Sequence, residues 1–415
     1  MTTLADPRPA AAPDSGRRLS PSLAFTAVAA IFVTFAAASA APSPLYVVYQ
    51  HLWGFSASIL TLVFASYVVG LLGALLVLGA LSDHVGRRPV LAAAIALEAV
   101  SLVLFLSAGN VTLLLVARLL QGVATGMAFT TLGAALVDLN PKHAPHRAGL
   151  INGIAPVSGL AVGALGTGAL VQFGPAPTHL IWGLLLAAML LAGLLLSRLP
   201  ETSARRPGAA ASLTPKLGVP VHLRGGFLSV VPTIVASWAI GGLYLSLGPS
   251  VAASVFDLSN HLIGGLVVTL LCGTGAITSF VLRRWPTGRV LTLAGALLTS
   301  GGVVGVLGVE SGSILLAAVG TIISGIGFGA SSLASFGTLA TMAAPHERGK
   351  LLAVALVVAY VAFSVPAVIA GFAATEVGLH STALVYGIGV AVLSLLALGV
   401  QSLQKRSKPA DAIAG

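Results

Sequence analysis

LTLVFASYVVGLLGALLVLGALSDHVGRRPVLAAAIALEAVSLVLFL, residues 60 to 106, holds two long apolar runs with Asp83, His84, Arg87 and Arg88 gathered into the turn between them. The runs extend over 56–81 and 89–107. Each exceeds or approaches the roughly 20 residues that a helix needs to cross a hydrocarbon core about 30 Å thick. The stretch therefore reads as two antiparallel membrane helices joined by a charged turn. Apolar runs of similar length recur along the rest of the chain.

Over 415 residues, 57% are hydrophobic and only 8% are charged, against about 25% charged in soluble domains. Ten further apolar runs lie at 20–42, 111–138, 149–172, 178–198, 226–250, 260–282, 287–308, 313–341, 350–374 and 379–403. In chain order the twelve are helices 1 to 12. Segments of about ten residues with alternating hydrophobicity, the mark of a membrane β-barrel, are missing. The expected fold class is an all-α integral membrane protein with 12 transmembrane helices.

The placement of charge gives the topology. Every Lys and Arg except Arg118 falls before helix 1, in the loops that follow helices 2, 4, 6, 8 and 10 or at the helix ends flanking them, or after helix 12. The intervening loops carry Asp257, Glu310 and Glu376 instead. Basic residues beside helix ends stay in the cytoplasm, so both termini and the central loop are expected there, in a multi-pass protein of the cell (inner, cytoplasmic) membrane. The net charge of +10 thus reports orientation, and no nucleic-acid partner is expected. Arg17-Arg18 followed by an apolar run and Ala38-Ser39-Ala40 also has the look of a signal peptide. Removing helix 1 would leave eleven spans and break the alternation of charge. The lone Cys272 forms no intramolecular disulfide and is expected to pack inside helix 8.

The chain divides into a cytoplasmic tail at 1–19, a six-helix half at 20–198, a flexible linker at 199–225, a second six-helix half at 226–403 and a tail at 404–415. The halves repeat each other. Ala144-Pro145-His146 before helix 5 returns as Ala344-Pro345-His346 before helix 11, and Gln121-Gly122 in helix 4 is paralleled by Ser324-Gly325 in helix 10. Gly86-Arg87 is echoed by Gly288-Arg289. Two six-helix repeats in parallel orientation, with a site between them, is a transporter architecture.

Gly79-Ala80-Leu81-Ser82-Asp83-His84-Val85-Gly86-Arg87-Arg88 resembles the G-x-L-x-D-x-x-G-R-R signature that major facilitator superfamily (MFS) transporters carry between helices 2 and 3. Arg118-Leu119-Leu120-Gln121-Gly122 is similar to the R-x-x-Q-G motif of helix 4 in proton-coupled members, and Pro200-Glu201-Thr202 to the ending that often closes helix 6. The resemblance spans the chain and points to the 12-helix drug:proton antiporter branch. It implies a gate. Gly79 allows close helix packing and Gly86 a sharp turn. Asp83 would lie at the N-terminal end of helix 11 near Arg348, and Arg87 or Arg88 would reach Asp138. In the family such contacts latch the halves together in the outward-facing state.

Ionisable side chains inside a membrane are costly and usually functional. Glu98 and Arg118 are the ones well away from helix ends. At 1.5 Å per residue they stand roughly 14 Å and roughly 20 Å above the cytoplasmic boundary, close enough to pair directly or through water. Burial and a neighbouring guanidinium act on such a carboxyl in opposite senses, the condition for exchanging a proton during a conformational cycle. Arg118, Gln121, Gly122, Thr125 and Phe129 share one helical stripe, expected to face a cavity. Pro156, Trp238 and Tyr244 are further cavity candidates.

Two features depart from the drug-export pattern. Helix 1 has no acidic residue between Phe25 and Ala41, and Ala155-Pro156-Val157-Ser158-Gly159-Leu160 keeps only the proline and one glycine of G-P-x-x-G-G. Pro42 and Pro44 are expected to kink the outer end of helix 1. No nucleotide-binding loop, metal-ligand spacing or room for a catalytic domain is present, so neither an enzyme nor a cofactor is expected. The expected function is secondary active transport by alternating access: proton-coupled efflux of small amphipathic or apolar molecules, by a monomer whose partners are substrate, protons and lipid. The alternative is a proton-coupled importer of a metabolite such as a sugar or organic acid. Arg outnumbers Lys sixteen to five, which together with abundant Ala and Gly suggests a bacterial, GC-rich source.

Overall fold

The computed structural model describes residues 19–141, 144, 146–215, 217–258 and 260–406. Residues 1–18, Lys142, His143, Pro145, Lys216, Ser259 and 407–415 lie outside the described residues, and with them nearly all of the two tails and part of the basic set. Among the described residues twelve helices are long and apolar enough to cross a membrane. Helices 1 to 6 span Pro21–Trp53, Ala57–Leu78, Arg87–Leu106, Val111–Asp138, Arg147–Phe173 and Leu180–Arg198. Helices 7 to 12 span Val221–Ser246, His261–Arg284, Thr287–Glu310, Ile314–Met342, Glu347–Val377 and Leu379–Gln401.

Several helices start where a short polar side chain meets an apolar run. Ser56, Asn110, Asn260 and Ser313 each accept a hydrogen bond from a backbone N–H of the first turn, which satisfies a donor that the helix leaves free. Helix 1 runs past its expected end at 42. Ala41 keeps helical dihedrals (φ −54°, ψ −37°) and its N–H still reaches the Ala37 carbonyl. Pro42 then opens the continuing turn, a position where the missing N–H costs nothing. The regular helix is interrupted at Ala41, where the prolines were expected to act, and resumes from Pro42 to Trp53 within one span.

The two halves share one plan. Helix 4 packs on helices 1, 2 and 3, and helix 10 packs on helices 7, 8 and 9 in the corresponding arrangement. Glycines make the contacts close. A Cβ on Gly122 of helix 4 would overlap the Tyr67 carbonyl of helix 2, and one on Gly242 of helix 7 would overlap the Phe363 carbonyl of helix 11. In lipid, where apolar burial gives little drive for helix association, such close backbone approach supplies the attraction.

Helices 2 and 11, and helices 5 and 8, join the halves. The hydrogen bonds across the junction cluster toward the face opposite the basic loops. Ser43 donates to the Leu245 carbonyl at 2.6 Å, Ser250 to Gln50 Oε1 at 3.2 Å, and the His261 N–H to Gln172 Oε1 at 2.9 Å. The Ser58 N–H donates to Thr375 Oγ1 at 3.2 Å. The halves are thus closed on each other at that face.

Candidate functional site: a charged loop clasp and a buried polar triad

The charged turn between helices 2 and 3 is built around Gly86. Its φ of +118° lies in the region that favours glycine. A Cβ there would also come within 2.7 Å of Glu201 Oε2. Helix 3 starts immediately afterwards with no cap of its own. Glu201, just past helix 6, supplies one: its Oε1 accepts the Arg87 N–H at 2.8 Å and its Oε2 the Arg88 N–H at 3.1 Å. A carboxylate at a helix N-terminus is electrostatically favoured. Burial raises the Glu201 pKa, but the N–H groups of Ser203, Arg87 and Arg88 and the nearby Arg205 together hold it below the usual carboxylate value.

The side chains complete the clasp. Arg87 pairs with Asp83 (2.5 Å) and with Asp138 at the end of helix 4 (3.2 Å), and donates to Ser82 Oγ at 2.7 Å. Thr202 donates to the same Asp138 oxygen at 2.9 Å. Arg88 instead reaches the Ser197 carbonyl on helix 6 at 3.0 Å, so of the two arginines it is Arg87 that meets Asp138. Ser203 Oγ and the Arg206 N–H both donate to the Asp83 carbonyl at 3.1 Å. Residues 201–206 are therefore tied to the loop, in contrast to the flexible linker expected from 199 onward. A Cβ on Gly79 would overlap the Leu75 carbonyl oxygen and would meet Thr130 of helix 4 only at an ordinary 3.6 Å.

The contact between Asp83 and the start of helix 11 is not made in this conformation. Asp83 is 48% exposed and its ion pair is with Arg87, while Arg348 is exposed. Glu347 on helix 11 lies 3.5 Å from His222 within its own half. Absence of the latch fits a molecule closed at the other face.

Within the membrane, the structure brings Glu98, Arg118 and Gln121 together. Glu98 and Gln121 are 0% exposed and Arg118 is 2% exposed. The acid and the guanidinium, expected to pair directly or through water, are joined instead through the Gln121 amide, which sits between them. Arg118 donates to Gln121 Oε1 (2.5 Å) and to the Ser39 carbonyl (3.1 Å). Gln121 Nε2 donates to Glu98 Oε1 and to the Ala38 carbonyl, each at 3.1 Å. Arg118 also lies over the Tyr67 ring, 4.4 Å from its centroid. Glu98 Oε2 and Arg118 Nε are buried without a hydrogen-bond partner.

The polar stripe of helix 4 thus faces helices 1, 2 and 3, and not an open cavity. Thr125 is buried and lies 3.3 Å from Ser39 Oγ, Gly122 is the close approach to helix 2, and Phe129 packs on Phe32 with ring centroids 4.8 Å apart. Hydrophobic periodicity shows that a stripe is buried, but it does not say whether space or another helix covers it. The roles of Ser39, Tyr67 and Glu201 escaped the sequence reading: Ser39 contributes a backbone carbonyl, Tyr67 a ring face, and Glu201, noted only as part of the helix 6 ending, acts 114 positions away on the start of helix 3.

Of the other candidates, Trp238 sits edge-on to Tyr360 (4.9 Å), Phe363 (5.8 Å) and Phe336 (6.4 Å). Phe363 meets Phe64 of the other half at 5.0 Å. Tyr244 hydrogen-bonds Thr321 at 2.9 Å, and Pro156 lies inside helix 5, half-buried.

Two six-helix repeats closed at one face, with a charged clasp at the other and an ionisable triad between helices, define a membrane transporter. Residues 23–365 match the sequence model of the Major Facilitator Superfamily, and the chain belongs to that family of secondary transporters of small molecules. Solved structures agree on the fold. A bacterial homolog of the human lysosomal transporter Spinster is similar in its inward-facing occupied conformation, with a TM-score of 0.70 and 13% identity over 94% of this chain and 98% of that one. An inward-facing unoccupied conformation gives 0.68 and 14% over 93% and 97%. The human organic anion transporter MFSD10 (TETRAN) gives 0.65 and 18% over 92% and 100%.

Proposed function

We propose that the protein is a proton-coupled exporter of small amphipathic or apolar molecules, acting as a monomer with its basic face toward the cytoplasm. One observation carries the coupling: Glu98 is wholly buried, holds Gln121 through one oxygen and leaves the other without a partner. A free carboxyl oxygen beside a charge that is relayed through an amide can accept a proton without dismantling the triad. Arg118 stays charged and cannot itself carry the proton. The cargo class rests on the aromatic side chains Trp238, Tyr360 and Phe363 beside the junction of helices 2 and 11, and on the confinement of deeply embedded charge to the N-terminal half.

In this reading the present conformation opens toward the basic face. In the alternate one the neutral hydrogen bonds at the opposite face part, and Asp83 latches to the start of helix 11 near Arg348. Expression in an efflux-deficient host, screened against a broad panel of toxic amphipathic compounds, tests the direction and the cargo. Resistance to several compounds, lost when the proton gradient is collapsed, is the expected result. No resistance to any compound, with uptake of a metabolite into cells instead, overturns export in favour of import.

A further inference from the structure

The duplication relates the buried triad to three positions in the other half. With the halves registered on Gln121 and Ser324, 203 positions apart, Glu98, Arg118 and Gln121 fall on Gly301, Thr321 and Ser324. The packing preserves the relation: a Cβ on Gly301 would meet Ser324 Oγ at 2.5 Å, just as Glu98 meets Gln121. The acid, the guanidinium and the amide have been replaced by a hydrogen and two hydroxyls. Leu102, buried in the first half, likewise becomes Gly305.

The loss of these side chains leaves space. A cavity of about 360 Å³ lies between helices 7, 8, 9, 10 and 12, lined among others by Ile240, Tyr244, Leu266, Gly305, Thr321 and Tyr386. Its volume falls in the range of small-molecule sites, roughly 300–1,000 Å³, and is more than twice the ~150 Å³ of an engineered apolar cavity that takes up benzene. Most of its hydroxyls are committed. Thr321 donates to the Ala317 carbonyl and shares a hydrogen bond with Tyr244, and Tyr386 donates to the Ala239 carbonyl at 2.7 Å. Ser324 differs: it lines the cavity, is 1% exposed, and its Oγ has no partner. A buried polar atom without a partner costs about 1–3 kcal/mol, which a bound group at that spot would relieve.

We propose that this cavity is a second ligand site, confined to the C-terminal half, for a small apolar molecule bearing a single hydroxyl or carbonyl that hydrogen-bonds Ser324. The apolar walls select the body of the ligand and the lone hydroxyl sets its orientation. The site does not depend on Glu98 or on the direction of transport.

The test uses the full chain in lipid nanodiscs, with 2-naphthol as the probe, naphthalene as the isostere lacking the hydroxyl, and protein-free nanodiscs as the baseline in equilibrium dialysis. The expected result is one saturable 2-naphthol per chain, bound about 2- to 10-fold more tightly than naphthalene, the range one neutral hydrogen bond supplies. Ser324→Ala should erase that preference and keep naphthalene binding. Gly305→Leu, where a Cβ meets open space, should fill the cavity and weaken both probes at least tenfold without lowering the melting temperature. An unchanged preference in Ser324→Ala, undiminished binding to a folded Gly305→Leu, or no saturable binding at all overturns the assignment. Should Gly305→Leu fail to fold, the Ser324→Ala comparison decides alone.

Discussion

Changing Glu98 to Gln replaces one atom of the buried triad. Oε1 continues to accept from Gln121 Nε2 at 3.1 Å, and the position of Oε2, which has no partner, becomes an NH2. A buried donor left unpaired costs about 1–3 kcal/mol. The protonated acid leaves an O–H in the same situation, so the net change in stability should stay within about 1 kcal/mol, and the protein should insert and purify normally. Coupling should change far more. A pH difference of one unit is worth about 1.4 kcal/mol per proton, so one-for-one exchange across two units supports roughly hundredfold accumulation. In proteoliposomes with an imposed pH difference, Glu98→Gln should drop to a ratio near one, while downhill exchange of labelled substrate persists. Arg118→Lys should retain more coupling than Arg118→Ala, since the guanidinium contacts with Ser39 and Gln121 both run through one nitrogen that an ammonium can partly replace. Uphill accumulation by Glu98→Gln at the parental level would refute the role given to this acid.

Three further outcomes follow from the packing and the loop. Gly122→Ala places a methyl on the Tyr67 carbonyl, so helix 2 must shift. The cost should be about 1–3 kcal/mol, and an unaltered melting temperature would show that helices 2 and 4 are not so close. Glu201→Ala strips the cap from helix 3, at about 1 kcal/mol, and should speed hydrogen exchange at the Arg87 and Arg88 amides. Because its folded pKa is lowered, the carboxylate's stabilising contribution is complete above the unfolded value of about 4.3. It fades as pH falls through the lower folded value, so parental exchange at these amides, corrected for intrinsic rates, should approach that of Glu201→Ala only in that acid range. For the latch, Asp83→Asn should largely abolish transport with expression intact. Cysteines at 83 and 348, against the buried Cys272, should crosslink preferentially in the state open at the opposite face, and equal yields in both states would reject the latch.

Much of this molecule is decided locally. Hydrophobic runs must become helices in lipid because no water is there to satisfy a free backbone, so the number of spans and the bounds of helix 4 at Val111–Asp138 could be read residue by residue. The repeat and the Gly86 turn were equally visible, since each depends on a short motif. Pairings across the chain were not. The sequence places Glu201 in a helix ending with no reason to connect it to helix 3, and it places Glu98 and Arg118 at similar depth without showing that Gln121 stands between them. Nor does it say that the stripe of helix 4 meets neighbouring helices, or that Gly301, Gly305 and Ser324 surround a space. Periodicity fixes which way a side chain points along one helix. What it points at depends on how closely the next helix packs, and that distance is set by glycines and carbonyls on both partners at once.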